Sequence, residues 1–257
     1  MRKNYLEKCF PIESQTSHYD KKVIINIISI FQKKFCYLEI GSYRGGTLVP
    51  FLMSKHCKLI YSIDKRNQKI DDERNKLLSY ETISEINMIN ELKKHNLNLS
   101  KLKTFNGDIK DFKTNKKFEL VFIDGIHTDT NTFSDFLHTL EILKRDCIVL
   151  FHDTSIIFKS LAIINILLEK KNFLFKLIKF KDSEITGLFF GKFAKTNINK
   201  YNLKAQNFEK FSKLANDNLL IEQFNNRVKI NFKISRFLKN KYPYKINLKK
   251  KETLNIT

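Results

Sequence analysis

Glycine is scarce here: the 257-residue chain has only seven, together with three prolines, three methionines and no tryptophan. A chain this sparing with glycine places each one for a reason, so the few present mark turns or close approaches. Cysteine is also thin. Cys9, Cys36, Cys57 and Cys147 lie far apart with no Cys-x-x-Cys pair, which argues against a zinc site and a disulfide framework and leaves buried free thiols. Long apolar runs are missing too. The longest, such as Val23 to Phe31, is broken well before the roughly 20 residues a membrane span needs. No apolar h-region follows the basic start Met-Arg-Lys-Asn, so no secretory signal is expected and the default location is cytoplasmic.

What remains is substantial. At 42% hydrophobic the chain can bury a core, and its length suits one catalytic-sized domain with an appendage. Its net charge of +20 comes mostly from lysine, with only seven arginines, in an Asn- and Ile-rich background typical of A/T-rich coding. Residues 1–150 hold 25 basic and 19 acidic side chains, residues 192–257 hold 16 and 4, so the excess is concentrated in the tail. We expect a domain over residues 1–197 and a basic, helical extension over 198–257.

Short β-branched and aromatic runs at Cys36–Ile40, Lys58–Ile63, Leu102–Phe105, Phe118–Ile123 and Cys147–Phe151 read as buried strands. Helical periodicity predicts helices near Lys21–Lys33, Thr47–Ser54, Asp71–His95, Thr132–Leu143 and Ile156–Glu169, with an extra helix expected between Asp64 and Asp108. Further strands are expected at Phe173–Phe180 and Gly187–Phe193, and further helices at Asn207–Leu214 and Leu219–Leu238. Alternation of this kind predicts an α/β fold with a doubly wound, mostly parallel sheet.

In such a sheet, ligands bind beyond the carboxyl ends of the strands. The first strand ends in Glu39-Ile-Gly41-Ser42-Tyr-Arg-Gly45-Gly46-Thr47. Gly41 lets a ligand approach the backbone, and Gly45 and Gly46 make the tight turn. This loop has neither the Gly-x-Gly-x-x-Gly of dinucleotide binders nor the Gly-Lys-Ser/Thr of a phosphate cradle. Glu39 suits an ammonium group, and Asp64, at the end of the second strand, suits ribose hydroxyls. Together they ask for a nucleoside bearing an amino acid.

These residues resemble the class I S-adenosylmethionine-dependent methyltransferases. The first loop is similar to the Glu-x-Gly-x-x-x-Gly-x-Ser/Thr loop of the O-methyltransferase branch. Phe122-Ile-Asp124-Gly125-Ile-His127 and Val149-Leu-Phe-His152-Asp153-Thr154 resemble signatures of a bacterial subgroup associated with methylation of sugars and other small metabolites. The likeness spans about residues 35–195. It implies a seven-stranded Rossmann-like sheet, S-adenosyl-L-methionine as cofactor, Glu39, Gly41, Ser42 and Gly45 beside its methionine part, Asp64 at the ribose, Asp108 at the adenine amino group, and Asp124 at the cofactor and in catalysis.

It also implies Mg2+ at carboxylates ending these strands, for which Asp124 and Asp153 are the matching positions. The competing reading is metal-free, with His127 or His152 as general base. The acceptor expected is a sugar, glycan or other small hydroxylated metabolite. An RNA methyltransferase is the alternative that the charge suggests, but the Asn-Pro-Pro-Tyr type of motif is absent and nucleic acid is disfavoured as a partner. A non-catalytic binding protein is the third reading, and intact Glu39, Gly41, Asp64 and Asp124 speak against it. In the tail, Phe224, Val228, Phe232 and Phe237 interleave with Arg227, Lys229, Lys233, Arg236 and Lys239. They suit either packing on the domain or a second subunit of a homo-oligomer, or an amphipathic helix on an anionic membrane.

Overall fold

The computed structural model describes residues 3–80 and 82–228. Helices α1 (Lys3–Cys9) and α2 (His18–Ile30) precede strand β1 (Phe35–Ile40), helix α3 (Val49–Met53) and strand β2 (Cys57–Asp64). A small hairpin of β3 (Lys69–Asp71) and β4 (Leu77–Ser79) follows, then α4 (Glu85–Lys94), β5 (Leu102–Asn106), β6 (Phe118–Ile123), α5 (Asp129–Leu140) and β7 (Leu143–Phe151). The chain continues through α6 (Thr154–Lys170), β8 (Phe175–Phe180), β9 (Thr186–Phe190), β10 (Ala205–Gln206) and α7 (Phe208–Val228).

The main sheet has the order β10-β8-β9-β7-β6-β1-β2-β5. Strands β5, β2, β1, β6 and β7 are parallel, and β9, β8 and β10 join antiparallel at one end. The expected doubly wound sheet is present with eight strands rather than seven, the addition being two-residue β10 at the edge. β1 lies between β2 and β6, so successive connections leave it in opposite directions and open a crevice at its carboxyl end. Every residue of β1 is buried, as a central parallel strand requires when helices cover both faces. On one face Ile24, Ile27, Phe51 and Leu92 pack with Tyr37 and Ile60. On the other, Phe136, Leu161 and Ile164 pack with Leu38, Val121 and Val149.

Local chemistry explains where the elements depart from periodicity. α2 starts at His18, ahead of the expected Lys21, because Ser17 and Asp20 form a capping box. The helix expected from Asp71 begins only at Glu85, where Ser84 caps it, and the extra helix expected in this stretch is the β3–β4 hairpin. Its turn is closed by buried Asp72, whose carboxylate accepts from the backbone N–H of Arg74 (2.9 Å) and of Lys76 (3.1 Å), while Asn75 adopts φ +58°. Such side-chain-to-backbone bonding offers the chain an alternative to helix. The two helices expected in the tail are one, α7, and it packs Ala215 and Leu219 against Phe158 of α6. The tail residues Lys229, Phe232, Lys233, Arg236, Phe237 and Lys239 lie outside the described residues. All four cysteines are buried and free. Among the described residues no helix is long and apolar enough to cross a membrane.

Candidate active site

A cavity of about 390 Å³ opens at the carboxyl ends of β1, β2, β6 and β7, with the β3–β4 hairpin as part of its wall. Its volume suits a small-molecule or cofactor site. Gly41, Ser42, Asp64, Asp108, Asp124, His127, His152 and Asp153 all line it, so the structure gathers most of the residues singled out in the sequence.

Gly41 has φ +84° and donates its N–H to Ile63 at 2.8 Å. A Cβ there would lie 1.9 Å from the Asp124 carbonyl oxygen, so only glycine lets the β1 loop pass the end of β6. The next turn carries Tyr43 at φ +48°, which aims its N–H at Asp64 Oδ2 (2.8 Å). Arg66 is buried behind it: Nη1 donates to the Tyr43 carbonyl at 2.7 Å and lies 3.4 Å from Asp64 Oδ2. Burial raises the Asp64 pKa, while Arg66 and the loop N–H groups pull it back. Ser42 is buried and accepts from Ser62 Oγ at 2.8 Å.

Glu39 and Gly45 stand behind this wall rather than on it. Glu39 is fully buried, and its carboxylate accepts from the Tyr37 hydroxyl and from Thr47 Oγ1 (2.6 Å). Burial pushes its pKa up to about 7, against the hydrogen bonds from Thr47 and Tyr37. It braces the loop, while Thr47, which it holds, reaches the cavity. Gly45 has φ +82° and packs against Met88, where a Cβ would approach to 3.0 Å. Asp108 caps the turn at residues 109–111, with Oδ1 accepting from the Lys110 N–H at 3.1 Å.

At the mouth, four titratable side chains meet. His152 Nδ1 lies 3.0 Å from Asp124 Oδ1 and 3.2 Å from Asp153 Oδ2, and His127 Nδ1 contacts the same Asp153 oxygen. Asp153 adopts φ +50° at the start of α6, which turns its side chain back toward the two histidines. The other face of His152 meets Asp20 from α2, with Nε2 3.4 Å from Oδ2. Asp20 is buried and also accepts from Ser183 Oγ (2.6 Å) and the Glu184 N–H (2.8 Å). Burial would raise the Asp20 pKa, but His152, Ser17 and Ser183 hold it well below the usual carboxylate range. Burial disfavours charge on both histidines, yet the carboxylates raise both pKa values, that of His152 strongly.

Residues 38–154 match a family described as a methyltransferase domain. They form a class I S-adenosylmethionine-dependent methyltransferase domain. Among solved structures, the methyltransferase domain superposes on the O-methyltransferase NovP with TM-score 0.50 at 13% identity, covering 66% of this chain and 76% of that one. It superposes on an O-methyltransferase from Bacillus cereus, in complex with S-adenosylhomocysteine, with TM-score 0.51 at 13% identity, covering 74% and 92%. No curated protein sequence matches the chain.

Several site residues of this methyltransferase domain were not picked out in the sequence. Arg66 follows Asp64 by two positions, with no motif around it to set it apart from the chain's other cations. Asp20 is 132 residues from His152, and its capping-box spacing marks a helix start but says nothing of a histidine partner. Asp135 and Gln68, both on the cavity wall, sit inside a helix and ahead of a short strand with no motif around them.

Proposed function

We propose that the protein transfers a methyl group from S-adenosyl-L-methionine to a hydroxyl oxygen of a small acceptor, with sugars and glycans as the favoured class. One observation carries the reading. A single cavity runs from the Gly41 loop and Asp64 to the Asp124, His127, His152 and Asp153 cluster, so cofactor groups and proton-handling groups face the same space. The fit to the cofactor is supported by the Gly41–Tyr43 loop and Asp64, which line the cavity together, and by Gln68, whose Nε2 is buried on the cavity wall without a hydrogen-bond partner. The sugar class rests on the strand-end motifs alone.

When bound, S-adenosylmethionine supplies a methyl group already activated by its sulfonium. The protein's task is to orient the acceptor and remove its proton, and orientation alone contributes several kcal/mol, up to about 7–11 in well-aligned systems. Asp64, held by the Tyr43 N–H and Arg66, receives the ribose hydroxyls. Asp153 orients His127 through Nδ1, which leaves the far side of that ring to take the hydroxyl proton. His152 has carboxylates at both ring nitrogens, so it organises Asp124 and Asp153 rather than meeting the acceptor.

A divalent cation fits the same residues. Ligand atoms of Asp124, His152 and Asp153 lie within 4.8 Å of one another, and Asp20 behind His152 is the kind of partner that orients a ligating imidazole. Asp124 and Asp153 would hold Mg2+, or a cation more tolerant of nitrogen, and the ion would polarise the acceptor hydroxyl. Calorimetry with S-adenosylmethionine, followed by methyl transfer to a panel of sugars, tests the reading. His127→Ala should lower kcat by roughly 10²–10⁴ with little change in cofactor affinity. Loss of turnover on chelation, restored by Mg2+, would show that the cation is required as well.

A further inference from the structure

We infer that Lys179, outside the cavity, is a positioning residue for the reacting cluster. Its buried ammonium fixes the turn between β8 and β9, and that turn holds both Asp20 and the start of α6, which set His152 and Asp153. The kinetic consequence rests on the methyl-transfer reading above, whereas the structural consequence can be read without an acceptor.

Lys179 lies on β8 and is only 2% exposed. Lysine is rarely buried so completely, because taking an ammonium out of water is costly unless its donors are used. Here they are. Nζ donates to the Ser183 carbonyl and, at 3.1 Å, to the Phe180 carbonyl, so it gathers both ends of the turn. Phe211 of α7 covers the ammonium, its ring centre 4.5 Å away, and the charges of Glu184, Asp20 and Asp182 oppose the cost of burial. Lys181 and Asp182 face solvent, with Asp182 at φ +60°, and Ser183 turns inward onto Lys179.

What the turn carries connects this lysine to the chemistry. Ser183 Oγ and the Glu184 N–H both donate to Asp20 Oδ1, and the other oxygen of Asp20 meets His152 Nε2. On its far side the turn grips α6: the Glu184 carbonyl accepts from the Thr154 N–H (3.0 Å) and Oγ1 (2.7 Å), and Glu184 Oε2 accepts from the Ser155 N–H (3.0 Å). Thr154 directly follows Asp153, whose positive φ aims its carboxylate at the two histidines. The turn therefore holds the His152–Asp153 step twice, by the imidazole through Asp20 and by the backbone through Thr154 and Ser155. Removing the ammonium releases the Ser183 carbonyl and with it both grips.

The test compares the full chain with Lys179→Met, Ser183→Ala and the double variant, at one fixed pH and well below their melting temperatures. Proton–nitrogen correlation spectra of the imidazoles read His152, assigned by the signals lost in His152→Gln. In Lys179→Met the His152 signals should move and kcat should fall by roughly ten- to hundredfold, while affinity for S-adenosylhomocysteine, read by calorimetry, stays within about twofold. Ser183→Ala should move the same signals, and the double variant should lose no more activity than Lys179→Met, because the two act along one path. Ile142→Ala, a core truncation just before β7, is the control for stability: it should lower the melting temperature and leave the His152 signals in place. Unmoved His152 signals in folded Lys179→Met, or losses that simply add in the double variant, would overturn the proposal. If Lys179→Met does not fold, Ser183→Ala and Phe211→Leu decide by the same signals, and no movement in either overturns it. If the unaltered protein methylates no acceptor and binds neither S-adenosylmethionine nor S-adenosylhomocysteine, the methyl-transfer reading fails, and the signals still decide whether Lys179 sets His152.

Discussion

One missing carbon atom sets how closely the ends of β1 and β6 approach. Gly41→Ala would drive a Cβ into the Asp124 carbonyl and force a positive φ on a residue that resists it. We expect loss of detectable cofactor binding together with a fall in melting temperature, read by calorimetry and thermal denaturation. Asp64→Ala removes an acceptor rather than a shape. It should weaken S-adenosylmethionine by roughly ten- to hundredfold, the worth of about 1.5–3 kcal/mol for a charge-assisted bond, and unchanged affinity would sink the assignment.

Glu39 makes a prediction about pH. Its folded pKa is raised to about 7 by burial, so its contribution to stability is fully present below its unfolded value and is lost as pH rises through about 7. Melting temperature should therefore decline over that window, with a shallower slope in Glu39→Gln. Asp135 titrates in the same direction, so only the difference between the two proteins reports on Glu39.

The contrast between these residues shows what a sequence reveals. Gly41, Asp64, Asp124 and Asp153 were legible because parallel strands deliver their carboxyl ends to one place, and a residue there needs no partner to be exposed to a ligand. Glu39, two residues before Gly41, was equally visible, but its oxygens are taken by Tyr37 and Thr47, and no one-dimensional pattern shows that.

Among elements, the strands were easy to read and the hairpin was not. Buried parallel strands announce themselves as unbroken apolar runs. The stretch from Asp71 to Asn75 carries charges at spacings that also suit a helix, and only the bonding of Asp72 to its own turn decides the outcome. That turn holds part of the cavity wall. Asp72→Ala should loosen the hairpin, raising KM for the cofactor or the acceptor with a smaller effect on global stability. A large fall in melting temperature with KM unchanged would contradict it.

At the scale of the whole molecule, residues 198–228 are woven into the rest. β10 extends the sheet beside β8, and α7 covers Phe158. α7 also reaches the hairpin: Gln223 Nε2 donates to the Glu73 carbonyl at 2.6 Å, Asn226 Nδ2 donates to the Arg74 carbonyl at 2.7 Å, and Glu222 lies 3.7 Å from Arg74. A chain ending at Gln206 should melt lower by roughly 5 °C or more and bind S-adenosylmethionine more weakly, as differential scanning calorimetry and titration would show. Equal cofactor affinity would separate α7 from the site.

The bonds from α7 to the hairpin also bear on the order in which the molecule is made. The hairpin is synthesised between β2 and α4, and the Glu73 N–H donates to the His127 carbonyl at 2.9 Å, so one wall of the cavity is in place once α5 has formed. Its outer ties wait for residues 223 and 226 to leave the ribosome. A nascent chain therefore holds the hairpin by its inner bond to the His127 carbonyl well before the outer bonds from Gln223 and Asn226 can form.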